Sequence, residues 1–253
     1  MILEILPTRT AGAAENMAVD FLLLQRYPRA AVPRFRHYEW RAPAFTFGYS
    51  QKIDFVRTQL PPGETFDLCR RQTGGGIVDH RDDWTYALVI PRGHPLEEVS
   101  ATQSYRLIHE ALAEALRAQQ VDAITQTSVV EPGSERTGAA QAAQAPAAGP
   151  VATPGVCFQR AELHDVVLAS TGVKIAGAAQ KRNKHGLLFQ GSIARSAVGT
   201  ATVDWDQFAE DFISQLGVAL DCVPETVPWP ELNDDEVSGL AEQYASTEWI
   251  EYR

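Results

Sequence analysis

Arg70-Arg71-Gln72-Thr73-Gly74-Gly75-Gly76-Ile77-Val78-Asp79-His80 is the stretch from which the rest of the chain can be read. Three successive glycines after a strand allow close backbone approach and aim unblocked N–H groups at a ligand, while two arginines supply anionic recognition. The alternative is a glycine-rich turn with solvated arginines. No Gly-Lys-Ser/Thr follows, and the run leads into a strand rather than a helix, so it is not a phosphate-binding P-loop. The Gly-x-Gly-x-x-Gly spacing of a dinucleotide site is also absent.

Outward from this run, Phe66–Gln72 and Trp84–Ile90 read as strands on either side of the glycines. Residues 34–40 and 43–49 are aromatic-rich and divided by Ala42-Pro43, which predicts two strands or a hairpin. Glu15–Tyr27 has Met17, Phe21 and Leu24 on one face of an amphipathic helix. Ser100 and Gln103 form a capping-box signature that opens a helix through Gln119, with Tyr105, Ile108, Leu112 and Leu116 on its buried side. Leu163–Ala169, Val173–Ala178 and Gly186–Ile193 read as further strands, with Gly172 as a turn. Trp205–Leu220 and Asp234–Tyr244 read as helices separated by the proline-rich Pro224–Pro230. Strands cluster around a few helices without strict βαβ alternation, which predicts an α+β fold.

Residues 132–155 interrupt the pattern. Of these 24 residues eight are Ala, four Gly and four Pro. Such a composition cannot bury enough apolar surface to offset its ordering entropy, so a mobile loop is expected. Strand signals resume beyond it, so one domain over residues 1–253 is expected, ending in an acidic helical segment at 201–253.

The chain has 253 residues, 45% hydrophobic and 21% charged, an ordinary globular composition. No stretch approaches the roughly 20 apolar residues of a membrane helix. The first residues, Met1-Ile2-Leu3-Glu4, do not read as a signal peptide. The expectation is a soluble, cytoplasmic protein. The net charge of −10 is uneven: residues 201–253 carry thirteen acids and one base, the first 200 residues 21 bases and 19 acids. Three of the four lysines, Lys174, Lys181 and Lys184, lie within eleven residues beside Arg182 and His185. No basic helix or aromatic RNA-binding strand accompanies them, so nucleic-acid binding is not expected. The histidines lack ligand spacing and the three cysteines lack a CxxC pair, so no metal site and no disulfide framework are expected.

Two further segments carry candidate chemistry. Lys174 is a lone cation in the apolar, small-residue run Gly172–Gln180. It is either held against a substrate carbonyl or phosphate, or an edge-strand lysine whose head reaches water. Cys157, in Pro154-Gly155-Val156-Cys157-Phe158, sits at a loop-to-strand junction, where a thiol can be exposed and activated by a nearby cation or base. His80, Lys174 and His164 are the candidate activators. Cys69 and Cys222 adjoin apolar residues and read as inert core thiols.

Together these segments resemble the lipoate–protein ligases and octanoyl/lipoyl transferases, related to the biotin–protein ligases. The resemblance rests on Asn16–Asp20, Ala44–Gln51, Arg70–His80, Thr85-Tyr86 and Lys174–Gln180, in that order and spacing. It implies an α+β fold, a mixed sheet flanked by helices, and attachment of a medium-chain acyl group to one lysine of a carrier domain. By resemblance, Arg71, Thr73, Gly74, Gly75, Gly76 and His80 belong to an acyl or acyl-adenylate pocket, and Lys174 holds the acyl carbonyl. Gly177 and Ala178 would leave room for the acyl chain, and Phe45 and Phe47 would supply apolar walls. Asp79 and Arg81 place a charge pair beside His80.

Two chemistries occur in that family. Val156-Cys157-Phe158 with the later Gly172-Val173-Lys174 is similar to the cysteine-containing transferases. These take octanoyl from acyl carrier protein onto the cysteine and pass it to a carrier lysine, with no cofactor. The resemblance names as acceptors lipoyl carrier domains, such as glycine cleavage H protein or the acyltransferase subunits of 2-oxoacid dehydrogenases. The alternative is a ligase using ATP and Mg²⁺ through lipoyl-AMP, to whose asparagine-aspartate pair His164-Asp165 is similar. A non-catalytic acyl- or cofactor-binding protein on the same scaffold is the rival from another class. Carrier proteins are generally acidic, so the Lys174–His185 segment is expected to steer them.

Overall fold

In a computed structural model of the chain, residues 1–26, 32–127 and 160–252 are described. Cys157 and the 132–155 stretch lie outside the described residues. An eight-stranded mixed sheet runs in the order β11-β1-β2-β6-β10-β9-β8-β7. The strands are β1 (Ile2–Ala11), β2 (Arg34–Trp40), β6 (Asp83–Pro91), β7 (Ala123–Thr125), β8 (Val166–Leu168), β9 (Lys174–Asn183), β10 (Gly186–Ala194) and β11 (Val223–Thr226). β11, β1 and β2 are parallel; from β2 onward every neighbour is antiparallel. A second sheet, β4-β3-β5, is built from β3 (Ala44–Phe47), β4 (Asp67–Arg70) and β5 (Val78–Asp79).

Alternation along the central strands sorts side chains between two faces. Trp84, Tyr86, Leu88 and Ile90 of β6 enter the core under α4 (Ala101–Ala118) and α5 (Trp205–Leu220). Phe208 and Phe212 of α5 pack edge-on against Trp84 there. Ala87 and Val89 face the opposite core with α1 (Ala13–Arg26) and α6 (Asp234–Ala245). The small sheet packs with α2 (Ile53–Gln59) over Phe45, Phe47, Ile53, Val56 and Ile77. Two short helices, α3 (Pro95–Glu98) and α7 (Thr247–Ile250), accompany them among the described residues.

The capping box at Ser100 is formed: Gln103 N–H donates to Ser100 Oγ (3.2 Å) and Ser100 N–H to Gln103 Oε1 (3.1 Å). Of the two readings of residues 34–40 and 43–49, two strands is the one observed, and they lie in different sheets. Two expectations need correction. Val173–Ala178 is the start of one ten-residue strand, β9, that absorbs most of the basic segment. The proline-rich 224–230 connector begins as an edge strand, β11, where the missing Pro224 N–H can face away from the ladder.

The candidate active site at the glycine loop and Lys174

The turn between β4 and β5 is held from inside. Gly75 sits at φ +87°, backbone that glycine alone adopts freely. Arg71 reaches back across the turn and donates to Gly74 O (2.8 Å), Gly76 O (2.9 Å), Thr46 Oγ1 (2.8 Å) and Thr73 Oγ1 (3.4 Å). Arg70 donates to four carbonyls, those of Tyr49 (2.8 Å), Gln51 (2.7 Å), Trp249 (3.1 Å) and Ile250 (2.6 Å). The expectation of two arginines offered to an anion is therefore corrected: both are buried and both brace backbone.

Beneath the glycines lies a small chamber of about 40 Å³, lined by Met17, Val78, Gly177, Ala178 and Ala179 and by the edges of Tyr38, Thr46, His80, Thr85, Gln190 and Ser192; Arg71 and Gly75 also border it. Its polar residues bond along the wall rather than into the space. Thr73 donates to Gln190 Oε1 (2.7 Å), and Gln190 Nε2 donates to Asp20 (2.6 Å), which is paired with Arg36 (2.6 Å). Burial pushes the Asp20 carboxyl up, against the attraction of Arg36 and its hydrogen bonds. On the other side Thr46 Oγ1 lies 2.7 Å from His80 Nε2, and His80 Nδ1 donates to Asp83 (2.6 Å). Burial works to raise the Asp83 carboxyl, yet His80 and the hydroxyls of Ser192 (2.5 Å) and Thr85 (2.8 Å) hold it below the carboxylate range. Trp40 stacks on His80 at 4.0 Å.

The charge partner of His80 is thus Asp83, which the sequence did not point to. Asp79 and Arg81 pair with each other (2.7 Å) on the exposed side, where Arg81 also meets Glu64 (2.6 Å). Phe45 and Phe47 turn away from the chamber into the α2 cluster, and Thr46 between them faces it.

Gly75 and Ala178 also border a second, open cleft of about 640 Å³ that carries Gly76, Tyr105, His164, Asp165, Lys174 and Gln180. Lys174 is only 6% exposed, and its ammonium pairs with Asp165 at 2.7 Å. Asp165 also accepts from Glu162 N–H (2.7 Å) and from the Tyr105 hydroxyl (2.5 Å). Of the two readings of Lys174 from sequence, the solvent-reaching edge lysine is excluded by this burial. A Cβ at Gly177 would stand 2.6 Å from Lys174 Nζ. Gly177 thus leaves room for the lysine on its Cβ side, while it also lines the chamber with Ala178.

The structure brings Arg71, Gly75, His80, Gly177 and Ala178 to the chamber and Gly76 and Lys174 to the cleft. Thr73 and Gly74 lie behind them, in the wall. Tyr105, Asp83 and Gln190 were missed as site residues, and Asp165, noted only with His164 for its likeness to the ligase pair, was not foreseen as the partner of Lys174. Among the described residues no group of three His, Cys, Asp or Glu could hold a metal ion, and no helix is long and apolar enough to cross a membrane. The basic segment does not present one face: Lys181 turns to the glycine turn, donating to Gln72 O (3.3 Å), while Arg182 bonds the carbonyls of Glu97 and Val99.

Residues 12–201 match the lipoyl protein ligase A/B catalytic domain, and the chain belongs to that family. It is 31% identical over 182 residues to octanoyltransferase LipM of Bacillus cereus, an alignment covering 71% of this chain and 60% of the relative. It is 32% identical over 200 residues to octanoyltransferase LipM of Staphylococcus aureus, covering 78% and 65%. The chain thus spans less than two thirds of the length of these curated relatives. A bipartite lipoate protein ligase from Thermoplasma acidophilum shares the fold, with TM-score 0.67 at 18% identity over 100% of this chain and 98% of that one.

Proposed function

We propose that the protein is a cytoplasmic acyltransferase of protein lipoylation that moves an octanoyl group from acyl carrier protein to a lysine of a lipoyl carrier domain. The observation that carries the reading is the place of Lys174: a buried, carboxylate-held ammonium in an open cleft that shares Gly75 and Ala178 with an apolar chamber. The chamber suits hydrocarbon because its polar atoms bond within the wall. At about 40 Å³ it holds a few water molecules. An eight-carbon chain must therefore displace side chains, and the unbranched Met17 is the one best able to yield.

The chemistry runs through Cys157, assigned from its sequence motif and supported by relatives named octanoyltransferase. Its thiolate bonds to the octanoyl carbonyl carbon and the donor's thiol leaves. The carrier amine then attacks the same carbon, the C–S bond breaks, and the amine proton passes to solvent or base. Thioester exchange is nearly isoenergetic, so no ATP is consumed, and the cysteine divides one transfer into two easier ones. In each step the carbonyl oxygen gains negative charge, which the Lys174 ammonium offsets.

Intact-protein mass spectrometry after incubation with octanoyl–acyl carrier protein, without ATP, tests this. A hydroxylamine-labile octanoyl adduct is expected on wild type and not on Cys157→Ser. ATP-dependent acylation of a carrier from free lipoate, with no such adduct, would replace the reading with a ligase.

A further inference from the structure

Two side chains one turn apart on α4 reach the turn that carries Asp165. His109 Nδ1–H donates to His164 O (2.7 Å), and His164 is held at φ +67°, which a non-glycine residue adopts only under constraint. Tyr105, its ring 4.0 Å from that of His109, places its hydroxyl between two partners. It donates to Asp165 Oδ1 (2.5 Å) and accepts from Ala178 N–H (3.0 Å). The second contact has a topological cause. The register between β8 and β9 stops at Val166 and Ala176, so two residues on the Tyr105 oxygen takes the Ala178 N–H that a longer β8 would take. Ala178 borders both the chamber and the cleft. One phenol thus ties the carboxylate that holds Lys174 to the strand against which the acyl chain would lie.

We infer that Tyr105 is a positioning residue for acyl transfer, keeping the Asp165–Lys174 pair in register with strand β9. The inference rests on the acyltransferase reading, but its geometry does not. Removing the hydroxyl leaves Asp165 Oδ1 and Ala178 N–H each short of one bond, and the carboxylate, still held through Oδ2 by Glu162 N–H, can then pivot there with the ammonium it holds. Small misplacements of a charge-stabilising group lower turnover far more than binding.

The test compares wild type with Tyr105→Phe and with Ile108→Val, a buried packing change on the same helix. With only four lysines in the chain, isotope-labelled lysine gives four resolvable side-chain NMR signals. Tyr105→Phe should move the Lys174 signal alone, and lower kcat for octanoyl transfer by on the order of tenfold with KM for the acyl donor within about twofold. Ile108→Val should lower Tm and do neither. In an Asp165→Asn background the effect of Tyr105→Phe on kcat should shrink below about twofold, because the two act through one contact. An unmoved Lys174 signal, an additive double variant, or a Tyr105→Phe protein that simply unfolds would each overturn the inference. A wild type that forms no octanoyl adduct refutes the acyltransferase reading instead, and the lysine signal still decides the role of Tyr105.

Discussion

At Lys174 the limiting quantity is space. The ammonium lies across Gly177, where a Cβ would stand 2.6 Å from Nζ and 2.7 Å from Cε. Gly177→Ala is expected to leave the fold nearly intact, because the obstructed atoms are the end of a flexible side chain. The same change should push the ammonium off Asp165 and lower octanoyl transfer by about tenfold or more, since a displacement of about 1 Å breaks the hydrogen-bond geometry to the developing oxyanion. Thermal melting beside adduct kinetics would show it; equal activity in the two proteins would mean that Lys174 can work from another position. The lysine itself was legible in the sequence, because an ammonium in a run of Gly, Ala and Ile demands a partner. Its partner was not. Asp165 meets it only through the β8–β9 register and the irregularity at Val166/Val167, which spacing along the chain does not encode. Tyr105 was hidden for a different reason. Its spacing with Ile108 and Leu112 marks a core stripe, and only the structure shows that its polar tip extends past that core.

Between elements, the glycine turn is clasped by residues far along the chain. Arg70 donates to the carbonyls of Trp249 and Ile250, Trp249 Nε1 donates to Arg70 O (2.9 Å), and Gln72 donates to the Tyr244 hydroxyl (3.0 Å). Tyr244 and Trp249 stack at 5.0 Å, so α6 and α7 close over β4 as one unit. Trp249→Ala removes the stack and the indole donor together. It should cost about 2 kcal/mol of stability by urea unfolding, from lost apolar burial and one hydrogen bond. It should also slow adduct formation several-fold, because the backbone at Arg70, where the turn begins, then loses the indole donor that holds it. Unchanged stability would show that the C-terminal helices rest on the body without bracing it. As elements these helices were legible: Trp205–Leu220 and Asp234–Tyr244 have the apolar spacing, and Asp204 and Asn233 cap them. Their docking was not, since the acidic composition of 201–253 does not say which part of the body the helices cover. The arginines misled for the same reason: a guanidinium beside glycines looks like an anion site until the carbonyls it meets are known.

Over the whole molecule, the buried histidines set how stability responds to pH. His109 is fully buried, with its pKa lowered by burial from 6.5 to about 4, and burial lowers His37 and His94 in the same direction. In the unfolded chain His109 binds a proton below about pH 6.5, whereas the folded protein does not take it up until about pH 4. Between those values the unfolded state holds more protons, so stability falls as the pH falls. For His109 alone the loss between pH 7 and pH 4.5 is about 2 kcal/mol. Asp20 opposes it: its raised carboxyl takes up a proton in the folded state first, and so recovers part of the loss. Asp83 acts lower still. Its depressed carboxyl contributes stability above the ordinary carboxylate range, which is lost as the pH falls through its folded value. Urea midpoints at pH 7 and pH 4.5 should therefore lie further apart for wild type than for His109→Gln, which carries no titrating ring. Equal separations would mean that His109 is protonated in the fold, with its second ring nitrogen donating to a partner; that nitrogen is buried and has no partner among the described residues. Burial of His109, against the opposing pull of its hydrogen bond to His164, thus ties the turn that carries Asp165 to neutral pH: the proton that charges the ring destabilises the helix face that Tyr105 shares.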